Sequence, residues 1–263
     1  MNNEFKFKKK YGQNFLQDNN ILNKIVNSIN ITKEDLVIEI GPGSGALTQI
    51  IINKTNKLIC FEVDKELDKF LGKYEDMGAR VIYEDFMKVD IHKYIESVEY
   101  NNLYIISNLP YYITTPIINK IIDSKIKVTS CVFMMQKEVG ERIKAQPGNK
   151  NYSSLSIFID YYFNVSKVCD VSRNVFYPKP NVDSIVLLFE TRSRPKVKVK
   201  NEKIFFTLIR DAFTFKRKNL RNNLKNYNLN VIENILKIYN YDLSVRAENL
   251  SIDIFCEIAN AIS

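Results

Sequence analysis

The sequence predicts a doubly wound α/β domain with a smaller helical domain after it. Three observations support this prediction. Five short, β-branched apolar runs alternate with helical segments, a glycine-rich turn follows the first run, and strand-like runs stop near residue 195. We therefore assign residues 1–195 to the sheet domain, with a basic arm at 1–11, and residues 196–263 to the helical domain. Ligands of such sheets bind at the carboxyl ends of the strands.

Each predicted element has a local reason. The strands are short runs rich in Val, Ile and aromatic residues, predicted at 36–40, 58–63, 80–85, 103–108 and 128–135, with two more near 163–171 and 184–190. The fifth run is continuously apolar, as expected of a strand covered on both faces. Pro116 suits the first turn of a helix, where proline's missing N–H costs nothing. Helical spacing predicts helices at 46–53, 65–73, 116–122 and 137–145.

The charge is distributed unevenly along the chain. Lys and Arg total 38 and Asp and Glu total 30, a net charge of +8. Residues 192–263 hold 14 basic and 7 acidic side chains, and residues 1–11 hold four Lys against Glu4, so both ends are basic around a slightly acidic middle. This asymmetry indicates that the ends bind a polyanion, although a solvated basic helix face is the alternative. The predicted phosphate-contacting residues are Lys8, Lys9, Lys10, Lys216, Arg217, Lys218 and Arg221.

The composition excludes several classes of protein. No apolar run is long enough to span a bilayer, and the basic N-terminus lacks the apolar core of a secretory signal. The four cysteines are scattered and His92 is the only histidine, so we expect neither a clustered zinc site nor a Ser-His-Asp or Cys-His centre. Scattered cysteines are typical of the cytoplasm, where we expect the protein to act as a monomer without a metal.

A glycine-rich turn at Gly41, Gly43 and Gly45 follows the first strand and opens a helix. Glycine lets the backbone approach a ligand closely, and the helix N-terminus offers unpaired amides. Glu62 ends the second strand, 17 residues after Gly45, where a carboxylate suits ribose hydroxyls. Asp85 ends the third strand, where it can accept a hydrogen bond from an adenine amino group. These residues predict a cofactor that contains a nucleoside.

Two cofactors fit this pattern. Gly41, Gly43 and Ala46 match a loose dinucleotide fingerprint, which keeps NAD open. Glu39 lies two residues before the turn, where a carboxylate is unfavourable beside a pyrophosphate but suits a ligand with an amine and a sulfonium. S-adenosylmethionine is such a ligand, and we favour it over NAD for that reason.

The fourth strand ends in the sequence Asn108-Leu109-Pro110-Tyr111. The exocyclic amine of adenine is a weak nucleophile, because its lone pair is delocalised into the ring. Two acceptors on its protons, the Asn108 side-chain oxygen and the Leu109 carbonyl, would favour a tetrahedral nitrogen. Pro110 holds the turn in one shape, and Tyr111 is suited to stack on an extruded base. The element predicts methylation of an adenine amine, which needs no histidine.

These elements resemble the motifs of one family, the small-subunit ribosomal RNA adenine N6-dimethyltransferases. The resemblance spans nearly the whole chain, and its specificity comes from the combination of motifs. One difference is Gly140, where the family more often has Ala, at a helix cost of ~1 kcal/mol. The segments that carry the resemblance are QNFL at 13–16, EIGPGSG at 39–45, FEVD at 61–64, ED at 84–85, NLPYYI at 108–113, MQKEV at 135–139, YSSLS at 152–156 and FYPKPNVDS at 176–184.

The resemblance implies a Rossmann-like class I methyltransferase sheet that uses S-adenosylmethionine, with a small C-terminal helical domain. It implies dimethylation of two adjacent adenines in the 3′-terminal hairpin loop of small-subunit (16S) rRNA, within a pre-ribosomal particle, and a link to kasugamycin sensitivity. Residues 108–111 would hold the target adenine, and Phe176 would stack on its other face unless it is a core aromatic. Together with the turn residues above, the predicted cofactor-binding residues are Asn14, Leu16, Glu39, Gly41, Gly43, Gly45, Glu62, Asp85 and Asn108.

Three other assignments stay open. The large-subunit rRNA adenine methyltransferases of macrolide resistance share the chemistry but usually have Ile where this chain has Leu109, whereas segments 210–224 and 246–250 resemble the small-subunit family. A non-catalytic RNA- or DNA-binding factor on this fold would show decay of the catalytic motifs, which are intact here. An NAD dehydrogenase would leave the Asn-Leu-Pro-Tyr element without a role.

Overall fold

In the computed structural model, which describes residues 14–110 and 113–263, the chain divides into two compact units. Of the described residues, the first unit contains those up to 140 together with 165–191, and the second contains 141–164 and 192–263. These units differ from the predicted domains, because residues 141–164 group with the C-terminal helices and not with the sheet.

The first unit is built on a seven-stranded sheet. Its strands are β2 Leu36–Ile40, β3 Leu58–Phe61, β4 Ala79–Ile82, β5 Leu103–Asn108, β6 Ser130–Gln136, β7 Phe163–Val171 and β9 Ser184–Thr191, in the order β4-β3-β2-β5-β6-β9-β7. The first two residues of β7 group with the second unit. Neighbouring strands from β4 to β6 are parallel, and β9 is antiparallel to β6. The chain order reverses between β2 and β5, and a doubly wound sheet opens its ligand crevice at such a point.

Two strands end earlier than the sequence pattern predicts. β3 ends at Phe61 and β4 ends at Ile82, whereas the predicted runs extend to residues 63 and 85. Beyond β3, the side chain of Glu62 accepts hydrogen bonds from the N–H groups of Val63 and Asp64. If the strand continued, backbone N–H groups in this segment would instead be needed for hydrogen bonds to the neighbouring strand. The acidic residues therefore lie in turns just beyond the sheet, where their side chains are available to a ligand.

A separate pair of two-residue strands lies in the first unit. β1 Phe15–Leu16 is antiparallel to β8 Phe176–Tyr177, with Phe15 opposite Tyr177 and Leu16 opposite Phe176. Because Leu16 and Phe176 are both buried in the main core cluster, this ladder fixes the segment around residue 15 against the sheet unit.

Helices connect the strands of the first unit. The described ones are α1 Asn19–Asn27, α2 Thr48–Ile51, α3 Asp68–Glu75, α4 His92–Ile95, α5 Thr114–Asp123 and the first half of α6 Lys137–Lys144, which continues into the second unit after Gly140. α1 begins at a side-chain cap, where Asp18 Oδ1 accepts from the N–H groups of Asn20 (2.8 Å) and Ile21 (3.2 Å). Pro116 is the third residue of α5 and not its first, and it is still tolerated because the first-turn N–H groups have no partner within the helix.

The core of the first unit lies around its central strands. Every residue of β2 and β3 is buried, including Glu39. Ile25 and Val26 of α1 and Ile51 of α2 pack into the same cluster as Val37 of β2. This close-packed centre holds the turns after the strands in fixed positions.

The second unit is helical and has its own core. Its helices are α7 Ser154–Tyr162, α8 Glu202–Ala212, α9 Leu220–Asn223, α10 Leu229–Ile238 and α11 Ile252–Ile262. Residues 141–164 belong to it because α7 contributes Tyr161, whose ring centroid lies 5.5 Å from that of Phe205. Asp160 of α7 also pairs with Arg192 (3.0 Å) and Lys196 (2.6 Å). In the part of the chain that the structure describes, no helix is long and apolar enough to cross a membrane.

Candidate active site

A cavity of about 330 Å³ opens at the carboxyl ends of β2, β3, β4 and β5. Its walls come from the glycine turn after β2 and from the turns that follow the other three strands. This position and volume are typical of a small-molecule site in a doubly wound sheet. The predicted site residues that line the cavity are Asn14, Leu16, Glu39, Gly41, Gly43, Glu62, Asp85, Asn108, Leu109 and Pro110.

The glycine turn after β2 depends both on the backbone conformations that glycine allows and on close packing against neighbouring side chains. Gly43 has a φ of +59°, in the left-handed region that glycine adopts without strain. A Cβ at this position would also lie 2.6 Å from the ring of Phe15, which the β1–β8 ladder holds in place. The structure therefore requires glycine at position 43 for two independent reasons.

Three backbone N–H groups hold the Glu62 carboxylate at the cavity wall. Its Oε1 accepts from Val63 (2.8 Å) and Asp64 (2.9 Å), and its Oε2 accepts from Gly43 (3.1 Å). Burial raises the pKa of this carboxyl, and the three N–H groups oppose part of that rise. The lone pairs that remain on the two fixed oxygens suit the paired hydroxyls of a ribose.

Glu39 places a buried carboxyl in the cavity lining. Its Oε2 accepts from the Thr48 hydroxyl at 2.7 Å and from the Cys60 thiol at 3.7 Å. Burial raises the pKa of Glu39 to about 7, although the bond from Thr48 opposes the shift. A cationic ligand favours the charged form of such a group, so the carboxyl suits an ammonium or sulfonium and disfavours a phosphate.

The turn after β4 combines a carboxylate with an apolar surface. Asp85 Oδ1 accepts from the N–H of Met87 at 2.9 Å, and Phe86 and Met87 line the cavity beside it. Lys120 of α5 fastens this turn, because its Nζ donates to the carbonyl oxygens of Met87 (3.1 Å) and Val89 (2.7 Å). An apolar wall beside an acceptor suits a planar base that carries an amino group.

The turn after β5 is tied to its neighbours. Asn108 Nδ2 donates to the carbonyl oxygen of Asn14 at 3.1 Å, which orients the amide and leaves Oδ1 as its acceptor. The N–H of Leu109 donates to the carbonyl oxygen of Met134 at 3.0 Å, and the Leu109 side chain is buried. The turn is thus held on both sides before it reaches Tyr111, which lies outside the described residues.

Of the described residues predicted to bind the cofactor or the base, two do not line the cavity, Gly45 and Phe176. Gly45 instead contacts Tyr74, whose hydroxyl donates to the Gly45 carbonyl at 3.1 Å and whose ring occupies the place of a Cβ. Phe176 is 5% exposed and lies in the core cluster, while Tyr177 is 56% exposed. Neighbouring residues of a strand face opposite sides, and the pairing of β8 with β1 turns Phe176 inward.

The predicted basic residues of the second unit lie close together in the chain. Lys216, Arg217 and Lys218 are exposed between α8 and α9, and Arg221 is exposed on α9. Lys216 Nζ donates to the carbonyl oxygen of Lys150 at 2.6 Å, so a distant loop brings a further exposed lysine to this surface. Lys8, Lys9 and Lys10 lie outside the described residues.

The residues that the sequence analysis did not single out include Phe86 and Met87 of the cavity wall, Lys120, which holds their turn, and Lys150 at the basic surface. The first two directly follow Asp85, so their apolar side chains beside a strand-end acid were an available signal. Lys120 and Lys150 meet their partners across 33 and 66 residues of chain respectively. Local sequence pattern contains no information on pairings of that range.

The cavity lining fits S-adenosylmethionine. Glu62 and Asp85 supply acceptors for a nucleoside, Phe86 supplies an apolar wall, and Glu39 supplies negative charge for the cationic end of the molecule. The same buried charge opposes the pyrophosphate of NAD. Within residues 14–110 and 113–263, no group of three or more His, Cys, Asp or Glu side chains is arranged to hold a metal ion.

The sheet order and the placement of the cavity are those of a class I methyltransferase that uses S-adenosylmethionine, and the protein is of that class. The family model for ribosomal RNA adenine dimethylase matches residues 4–263, and the chain belongs to that family. Two curated relatives, the ribosomal RNA small subunit methyltransferases A of Bacillus mycoides and Bacillus anthracis, are each 44% identical over 98% of this chain and 92% of their own.

Solved structures extend the comparison to the fold. A dimethyladenosine transferase from Plasmodium falciparum is 28% identical, with a TM-score of 0.75 over 92% of this chain and 95% of that chain. The 23S rRNA methyltransferase ErmE, at 20% identity and a TM-score of 0.74 over 94% and 99% of the two chains, shares the fold alone. The family membership removes the dehydrogenase from the open assignments, and the 44% identity to relatives named as methyltransferases removes the non-catalytic factor.

Proposed function

We propose that this protein dimethylates the N6 amines of two adjacent adenines in the 3′-terminal hairpin loop of small-subunit rRNA, with four methyl groups delivered in all. The observation that carries the proposal is a single cavity where the turn at Asn108 meets the acceptors Glu62 and Asp85, in a chain whose family match spans residues 4–263. The names of the curated relatives favour the small subunit over the large-subunit alternative.

Each predicted cofactor contact has a physical role in this proposal. S-adenosylmethionine supplies an electrophilic methyl group when it is bound. Glu62 accepts from ribose hydroxyls, Asp85 accepts from the adenine amino group, and Glu39 stabilises the positive charge. The backbone at Gly41 and Gly43 allows close approach. The remaining members of the contact set are Asn14, Leu16, Gly45 and Asn108, with Gly45 acting through the shape of the turn.

The turn after β5 binds the target adenine in this proposal. The Asn108 Oδ1 and the Leu109 carbonyl oxygen accept from the two amino protons, which turns the nitrogen lone pair away from the ring and makes it nucleophilic. Pro110 fixes the turn, and Tyr111 stacks on the base after it leaves the RNA helix. Once the nitrogen is alkylated it is strongly acidic, so its proton leaves to water without a general base.

Phe176 is a second proposed stacking residue. Because it is buried, it must become accessible before it can stack on a base. Stacking requires the β1–β8 ladder to open, whereas a core role does not. Phe176→Leu keeps much of the apolar volume and removes the ring. A fall in methylation with unchanged stability supports stacking, and a fall in stability alone assigns Phe176 to the core.

The substrate in this proposal is the rRNA within an assembling small subunit, and the protein acts on it as a monomer in the cytoplasm. The exposed cations Lys216, Arg217, Lys218 and Arg221 bind RNA phosphates, together with Lys8 to Lys10 of the N-terminal arm. Their replacement with Ala is expected to lower affinity for the particle and leave cofactor affinity intact, with a smaller salt dependence.

The direct test incubates the protein and methyl-labelled S-adenosylmethionine with small ribosomal subunits that lack dimethyladenosine, with large subunits in parallel. Label in dimethyladenosine at two adjacent positions of the small-subunit RNA is the expected result. Label only in large-subunit RNA would transfer the assignment to the macrolide-resistance enzymes. Cofactor binding without label in either RNA would contradict the proposed substrate.

A further inference from the structure

Two phenylalanines that are separated by a single residue in the sequence lie in opposite environments in the second unit. Phe213 faces the helical core, with its ring centroid 6.0 Å from those of Tyr152 and Phe255. Phe215 is 63% exposed, one of the most exposed large apolar side chains in the described residues. An isolated exposed apolar residue is unremarkable by itself, so its surroundings decide whether it has a role.

The turn that carries Phe215 is held rigidly. The N–H of Phe215 donates to Asn223 Oδ1 at 3.3 Å, and its carbonyl oxygen accepts from Asn223 Nδ2 at 3.3 Å and from the N–H of Lys218 at 2.9 Å. Asn223 Nδ2 also donates to the Ala212 carbonyl oxygen at 2.7 Å, which ties the turn to the end of α8. Because the backbone is fixed, little ordering is needed when a partner binds the ring.

Exposed cations lie next to Phe215 in the sequence. Lys216, Arg217 and Lys218 follow it directly and are exposed, and Lys150 reaches the same surface through the bond from Lys216 to its carbonyl oxygen. Their mutual repulsion favours a bound polyanion. The Phe215 ring beside several positive charges therefore suits a partner in which negatively charged groups alternate with flat, apolar ring faces.

Single-stranded RNA is the polymer with that chemistry. Its phosphates are spaced along the backbone, and each unpaired base presents a face that stacks on an aromatic side chain. In a duplex those faces are already covered by neighbouring base pairs. An acidic peptide would neutralise the cations but give the ring no planar partner, and a membrane surface would call for a cluster of apolar side chains.

We propose that Phe215 is a stacking platform for an unpaired base of the substrate RNA, with the adjacent cations on the flanking phosphates. This inference rests on the proposed RNA substrate and adds the stacking contact to it. Phe215→Ala is expected to weaken RNA binding by about 5- to 100-fold. Phe215→Tyr keeps the ring and is expected to restore most of the affinity. Ile238→Ala, at another exposed apolar side chain of the second unit, is the matched control and is expected to have no effect.

Salt dependence separates stacking from charge. Loss of a phosphate contact lowers the slope of log K against log salt concentration by about one. We expect Phe215→Ala to lower log K by the same amount at every salt concentration, without a change of slope. We expect Lys218→Ala to reduce the slope. Equal affinity of Phe215→Ala and the wild type would overturn the proposal, as would a loss that appears only in the slope.

The chain contains no tryptophan, so Phe215→Trp creates a protein with a single indole at the proposed contact. Stacking on a base is expected to quench its fluorescence, both with the 3′-terminal RNA fragment alone and with small subunits. Ile238→Trp is the matched reporter and is expected to stay unquenched. A blue shift without quenching would show that Phe215 packs against a protein of the particle, which overturns the proposal. Wild-type methylation in the same preparations tests the proposed function separately.

Discussion

The carboxylate of Glu62 accepts a hydrogen bond from the main-chain N–H of Gly43 at 3.1 Å. This bond joins the turns after β2 and β3, although the two residues are 19 positions apart in the chain. The acid that is predicted to bind the ribose thus also shapes the glycine turn that lines the same cavity. A change at either residue is therefore expected to disturb both functions.

We expect Glu62→Ala to raise the dissociation constant for S-adenosylmethionine by about 10- to 100-fold, because it removes the ribose acceptor and the anchor of the glycine turn. Glu62→Gln keeps one acceptor oxygen and should lie between Ala and the wild type. Isothermal titration calorimetry measures these constants. Glu34→Ala is the control, since Glu34 is exposed and pairs with Lys57 before β2. Wild-type affinity in Glu62→Ala would refute the assigned role.

Lys120 is expected to act on the cofactor through the turn after β4. Lys120→Met removes the donors to the carbonyl oxygens of Met87 and Val89 and should raise the KM for S-adenosylmethionine about tenfold with little change in kcat. Lys120→Arg retains donors and should recover part of the loss. Steady-state kinetics distinguish this from a structural role, because a purely structural lysine would lower Tm without shifting KM. The exposed Lys127→Met is the control.

Glu39 is expected to make cofactor affinity depend on pH. Burial raises its pKa to about 7 in the free protein, so below that pH the carboxyl holds a proton that a cationic ligand must displace. Affinity for S-adenosylmethionine should therefore fall by up to ~10-fold per pH unit below 7 and level off above it. Titrations in buffers of different ionisation enthalpy should detect proton release near pH 6.

Two controls sharpen the pH experiment. Glu39→Gln preserves a partner for the Thr48 hydroxyl but carries no charge, so its affinity should be weaker at pH 8 and nearly flat from pH 6 to 8. S-adenosylhomocysteine lacks the sulfonium charge and should show a shallower dependence in the wild type. Parallel pH profiles for the wild type and Glu39→Gln would show that another group titrates.

Asn108 is expected to be essential for methyl transfer. Asn108→Ala removes one acceptor for the adenine amino group and the bond to the Asn14 carbonyl oxygen, and we expect kcat to fall about 100-fold. Single-turnover methylation of small subunits at saturating cofactor isolates this step from cofactor binding. Asn53→Ala, at an exposed asparagine, should match the wild type. Near-normal single-turnover rates in Asn108→Ala would remove Asn108 from the catalytic set.

Gly140 is expected to be required by packing. Helix propensity alone predicts that Gly140→Ala stabilises the protein by ~1 kcal/mol. In the structure a Cβ at this position overlaps Cγ2 of Ile185 on β9, so we expect Gly140→Ala to destabilise the fold by about 1–3 kcal/mol in chemical unfolding. Combination with Ile185→Ala should cost less than the sum of the two single changes.

A second glycine provides the matched comparison. Gly72 lies in α3, and a Cβ there meets no atom within 4 Å. Gly72→Ala is therefore expected to raise the free energy of unfolding by up to ~1 kcal/mol. If Gly140→Ala and Gly72→Ala were both stabilising, Ile185 would have moved aside at no cost in free energy. That result would contradict the explanation that packing requires glycine at position 140.

The strands and the strand-end residues were predictable from the sequence to within a few positions. β2, β5 and β6 match apolar runs, and the glycine turn with Glu62, Asp85 and Asn108 follows directly from residue types at the ends of those runs. These features are predictable because strand propensity and turn preference depend on a few consecutive residues. The ends of β3 and β4 were predicted too late, because side-chain bonds such as those of Glu62 compete with the ladder.

The chemistry proposed for the site follows from the chain alone, since each proposed reactive or binding group is defined by its residue type and by the strand it follows. Packing decided the rest. It turned Phe176 inward and left Phe215 exposed, brought Lys120 to the turn after β4, and gave residues 141–164 to the helical unit. Such outcomes depend on contacts between residues that are far apart in sequence, and only the folded chain brings those residues together.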